Sequence, residues 1–124
     1  MLGSAKIMAF VATADPEAAE RFYCGVLGLQ LIEDGPFALV IDSGGTMLRI
    51  QKVEAMAAPP YTSLGWEVDD IQQAVGELTD AGVRFTQVDG LPQDDLGIWT
   101  TPDGTGVAWF KDPDGNTLSL TQLA

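Results

Sequence analysis

The same order of elements is written twice along this chain. Ile7 to Thr13 is apolar and reads as a buried strand. Asp15 offers an N-cap, with Pro16 at the first helical position. Ala19, Phe22, Tyr23 and Val26 follow at i, i+3, i+4 and i+7, one apolar helical stripe that Gly28 stops. Three strand candidates come next: Leu29 to Glu33, Phe37 to Ile41 and Thr46 to Val53, punctuated by Gly35-Pro36 and Ser43-Gly44-Gly45. A small-residue linker over 55–61 then leads to a restart. Ser63 to Val68 reads as a strand, and Asp69 or Asp70 caps a helix with the stripe Ile71, Ala74, Val75 and Leu78. Gly82 ends that helix, and Val83 to Gln87 begins a strand. Gly97 to Thr101, Thr105 to Phe110 and Leu118 to Gln122 are the remaining strand candidates. Repetition of pattern without residue identity predicts an α+β chain of two βαβββ modules, 1–54 and 62–124, forming one domain over 1–124. Phe22 and Trp66 are expected to pack helices on the sheets.

Composition removes several function classes. The chain carries 18 acidic and 6 basic residues, a net charge of −12. Such a chain repels nucleic acid and anionic membranes, so neither is an expected partner. The acidic surface aids solubility and, where it lines a pocket, favours a cationic or neutral ligand. The chain has no histidine, which excludes Ser-His-Asp and Cys-His catalysis outright. Its single cysteine, Cys24, excludes an internal disulfide and fits a reducing, cytoplasmic setting. Lys6, the apolar run to Ala12 and Ala12-Thr13-Ala14 mimic a signal peptide, but cleavage there would delete the first strand, so the run reads as a strand. Asp112, Asp114 and Asn116 alternate like the start of a calcium loop. Glycine comes too early and no Glu closes twelve residues, so Pro113-Asp114-Gly115 reads as a turn, as does Pro102-Asp103-Gly104.

Two stretches point to a family: Asp15 to Leu31 (DPEAAERFYCGVLGLQL) and Asp112 to Leu120 (DPDGNTLSL). Both resemble the vicinal oxygen chelate superfamily, which includes glyoxalase I, extradiol dioxygenases and bleomycin-type resistance proteins. The resemblance implies two βαβββ modules whose strands curve into a cup with helices outside. It also implies a divalent metal held by His, Glu and sometimes Gln. The first ligand position falls at Met8, the second at Arg49 (Gln51 if the register slips one pleat), the third at Ser63 and the fourth at Ser119. Hard and borderline cations want imidazole or carboxylate, and Arg49 would put a fixed positive charge beside the ion. The expectation is therefore no metal, no cofactor and no assigned catalytic residue.

With those positions taken as facing the cup, strand alternation assigns the lining. Met8 and Phe10 line the first strand, Arg49 and Gln51 the fourth, Ser63 and Glu67 the fifth, and Ser119 the eighth. Phe37, Trp99 and Trp109 add aromatic walls, or else fill the cup or sit in a dimer interface. Arg49 pairs either with an anionic ligand group or with Glu67. The resulting expectation is a small-molecule-binding protein that sequesters an aromatic or cationic compound, as a homodimer. The alternative is a lyase, isomerase or dioxygenase with a noncanonical site using Glu67 as base.

Overall fold

The computed structural model describes all 124 residues. The chain is α+β, with eight strands in two four-stranded mixed sheets and two α-helices. It divides into two compact units, Met1–Ala57 and Ala58–Ala124, the division falling inside the expected linker.

The first unit contains β1 (Met8–Thr13), α1 (Pro16–Glu20), β2 (Gln30–Asp34), β3 (Ala38–Ser43) and β4 (Thr46–Lys52), ordered β1-β4-β3-β2 across the sheet. β1 runs parallel to β4, while β3 is antiparallel to both β4 and β2. Asp15 caps α1 as its chemistry predicts: its carboxylate accepts from the Ala18 amide at 3.2 Å. Its own amide donates to the Thr13 hydroxyl at 3.0 Å, which gives the fully buried Thr13 a partner.

The expected single helix changes pitch. Arg21–Val26 is π-helical, and the Leu27 amide reaches back to the Phe22 carbonyl, five residues away, at 2.9 Å. The stripe is kept, but its fully buried members are Ala19 and Tyr23, while Phe22 is half-buried and meets Tyr23 edge-on at 5.3 Å. Tyr23 and Ala19 join Val11, Leu39, Ile41, Leu48 and Ile50 in the core of this unit.

The second unit contains β5 (Thr62–Glu67), α2 (Ile71–Asp80), β6 (Trp99–Thr100), β7 (Gly106–Lys111) and β8 (Thr117–Gln122), ordered β5-β8-β7-β6. Asp70 is the cap of α2, accepting from the Gln73 amide at 3.1 Å. The face of the sheet towards α2 carries Trp66, Ala108, Phe110, Leu118 and Leu120. Phe110 lies at its centre, stacked with Trp66 at 6.3 Å and tilted against Phe85 at 5.3 Å. Gly106 sits under α2, where a Cβ would stand 3.3 Å from the Ile71 side chain, a tight contact.

Val83 to Gln87 is not a strand. It makes one bridge, Phe85 to Phe110, and one amide bond from Thr86 to the Trp109 carbonyl at 2.7 Å. The chain instead turns away into a loop organised by two side chains. Gln93 bonds the Val88 amide and the Thr86 and Gly97 carbonyls, and Asp94 accepts from the Leu96 and Ile98 amides. β6, which follows this loop, is two residues long. No helix is long and apolar enough to cross a membrane.

Candidate functional site

Each unit presents one sheet face that its own helical segment does not cover, and most of the expected lining residues stand on these two faces. In the first unit, strand register places Met8 beside Met47, Phe10 beside Arg49, and Ala12 beside Gln51. Val40 and Ala38 continue the Arg49 and Gln51 rows onto β3. Successive side chains alternate across a sheet, so Met8, Phe10, Arg49 and Gln51 share the face opposite the Val11, Leu48 and Ile50 core. Met8 is 44 %, Phe10 50 % and Met47 40 % exposed, and Arg49 is half-buried.

Phe37 does not belong to this set. It precedes β3 and is 79 % exposed. Its successor Ala38 is the partner of Gln51, which puts Phe37 out of step with the face. The expected strand from Phe37 begins one residue later, at Ala38, and Phe37 lies in the bend that precedes it.

In the second unit two cross-strand rows face away from α2. Gly65, Ser119 and Trp109 make one row, and Glu67, Thr121, Val107 and Trp99 the other. Trp99 and Trp109 are diagonal neighbours across the β6–β7 hairpin. Their rings are stacked with centroids 6.1 Å apart and planes 21° from parallel, and both are half-buried. The turn that sets this pairing is closed by Thr101 and Thr105, whose backbone bond is 2.8 Å. Thr101 also donates its hydroxyl to the Asp103 carboxylate, and that bond, with one from the Thr105 amide, holds the Asp103 carboxyl below its ordinary value. Ser119 is 8 % exposed and lies against Gly65, whereas Glu67 is exposed at the end of β5.

Ser63 departs from simple alternation. The register between β5 and β8 shifts between Thr62 and Leu64, so Ser63 is the extra residue of a bulge. Its Oγ is buried and bonds to no protein group. A bulge of one residue leaves no trace in composition, which is why alternation alone put Ser63 in line with Gly65 and Glu67.

The donor chemistry at the four positions matched to the family's metal ligands does not fit a divalent cation. A thioether, a guanidinium and two hydroxyls offer neither imidazole nor carboxylate. No cluster of three His, Cys, Asp or Glu side chains with metal-binding spacing occurs either.

Sequence reasoning named both tryptophans but not their mutual stacking, and it missed the contact between Gly65 and Ser119. The turn signal Pro102-Asp103-Gly104 between the two indoles was the available clue to the first. The second has no one-dimensional signal.

Comparison with known proteins bears on the fold. A family model described as Glyoxalase/Bleomycin resistance protein/Dioxygenase superfamily matches residues 6–120. A glyoxalase family protein from Enterococcus faecalis is 22 % identical with a TM-score of 0.75, covering 98 % of this chain and 99 % of that one. A superfamily member from Sphaerobacter thermophilus is 23 % identical with a TM-score of 0.74, covering 99 % and 100 %. A lactoylglutathione lyase from Agrobacterium tumefaciens is 19 % identical, also at 0.74, covering 96 % and 93 %. At these identities the likeness establishes architecture and not activity. No curated protein matches the chain.

Proposed function

The chain belongs to the Glyoxalase/Bleomycin resistance protein/Dioxygenase superfamily, and on that premise we propose that it is a metal-free small-molecule-binding protein that sequesters an aromatic or cationic compound. The observation that carries this reading is the stacked Trp99–Trp109 pair on the sheet face turned away from α2. Two half-buried indoles are a rigid plate of the kind that planar and cationic ligands stack on. Glu67 shares that face and adds a carboxylate two strands from Val107. The metal-ligand positions supply no Lewis-acid site, which favours retention of a ligand over its transformation.

The protein acts as a homodimer in this reading, inside the cell, where Cys24 stays reduced. The unpaired strand edges of the two sheets favour burial against a second copy. Light scattering giving a mass near the 13.2 kDa of one chain would refute the dimer.

Titration with ethidium, a planar aromatic cation, tests the binding reading. Tryptophan fluorescence should be quenched saturably, Trp109→Phe should weaken binding, and Glu67→Gln should weaken it without changing the melting temperature. Absence of saturable quenching at millimolar dye defeats the reading.

A further inference from the structure

Arg49 sits in surroundings that do not match its charge. It lies half-buried near the middle of β4. Its register partners are Phe10 on β1 and Val40 on β3, and Met47 stands one pleat along the same face. The guanidinium forms no hydrogen bond and no ion pair with the protein. Acids are available: Asp42 is diagonal to it on β3 and Glu33 is one strand further, both on the same face by register. In a chain with 18 acidic residues, neither of these is joined to it.

A partly desolvated cation without an acceptor is unfavourable, so the position is one that an incoming anion would satisfy. The guanidinium is a planar fork of five donors, and its best small partner is a carboxylate taken in two parallel bonds. The neighbouring side chains supply the other half of a recognition surface. Phe10, Met8 and Met47 expose an aromatic ring and two adaptable thioethers beside the charge.

We propose that this face binds a small organic anion, a carboxylate carried on a flat apolar body. The carboxylate lies on Arg49 and the body lies across Phe10, Met8 and Met47. Gln51, one pleat from Arg49, offers an amide donor to the same carboxylate. The net charge of −12 does not forbid this. Repulsion from distant acids is screened beyond about 8 Å at physiological ionic strength, whereas a contact pair at a half-buried guanidinium is not. The proposal rests on the reading that the protein binds small molecules, but it uses residues of the first sheet alone and a ligand of opposite charge.

The test is calorimetric titration of the full chain with 2-naphthoate, 2-naphthamide and 2-naphthylmethylammonium, which share one apolar body. Naphthoate should bind at least about tenfold more tightly than the other two. Arg49→Gln should abolish that preference. Arg49→Lys keeps the charge but loses the fork, and should fall between; it also decides the matter should Arg49→Gln fail to fold. Trp99→Phe and Trp109→Phe should leave the preference for naphthoate over naphthamide unchanged, which separates this site from the indole plate. Equal binding of acid and amide overturns the proposal. So does a preference that survives both Arg49 variants, or the absence of naphthoate binding at millimolar concentration. Loss of the preference for naphthoate over naphthamide in the tryptophan variants alone would also overturn it, and would assign the carboxylate to the second sheet.

Discussion

A Cβ placed on Gly65 would stand 2.5 Å from the Oγ of Ser119, its register partner on the neighbouring strand. Glycine at 65 therefore makes room for the Ser119 hydroxyl in the rotamer it adopts. Gly65→Ala should cost roughly 1–3 kcal/mol by overpacking, read as a lowered urea midpoint with an unchanged slope. Adding Ser119→Ala should restore most of the loss, because it removes the colliding oxygen. Simple additivity of the two substitutions would contradict the contact.

Asp112 ties the β7–β8 turn together from inside. It is 5 % exposed, and its carboxylate accepts from the Asp114 amide at 3.0 Å, the Asn116 amide at 2.9 Å and the Asn116 side chain at 2.9 Å. Asp112→Ala would strand buried donors and should cost about 2–4 kcal/mol. Asp112→Asn keeps one acceptor oxygen and should cost less. Equal losses in the two variants, measured by chemical denaturation, would show that the carboxylate bonds are not what holds the turn.

Burial first, and the Glu20 carboxylate second, push the Cys24 thiol above its ordinary value. Only the thiolate is alkylated, so modification by iodoacetamide should be slow at neutral pH and rise steeply in the alkaline range. Removing the nearby negative charge favours the thiolate. Glu20→Gln should therefore lower the thiol's titration point and speed alkylation at fixed pH. The change should be modest, since burial is the larger cause. An unchanged or slower rate would refute the electrostatic part.

Metal content follows from donor chemistry. With Met8, Arg49, Ser63 and Ser119 at the matched positions, purified untagged protein should carry well under one equivalent of zinc, nickel, manganese or iron after dialysis. Stoichiometric metal found by elemental analysis would sink the metal-free reading.

Much of the fold was legible along the chain because its signals are local. Asp15 and Asp70 announce helix starts through a side chain that bonds an amide three residues on, and both do so. Alternation sorted Leu48 and Ile50 from Arg49 and Gln51 because a strand's period is two. The same rule failed at Ser63, where a bulge shifts the count by one. Val83 to Gln87 has strand-forming residues, yet side-chain bonds from Gln93 and Asp94 direct the chain that follows into a loop.

By itself, then, the sequence determined most of the order of elements, the helix caps, the faces of most strands and the residue types at the four positions matched to metal ligands. Each of these depends on residue type and on spacing within a few positions. Tertiary structure alone decided that Trp99 and Trp109 stack, that Gly65 makes room for Ser119, that Tyr23 is more buried than Phe22, and that Arg49 has no acid bonded to it. Those relationships depend on which strands become neighbours and in what register. Register is set by contacts between residues distant in the chain, whose free energies exist only once the sheets have formed.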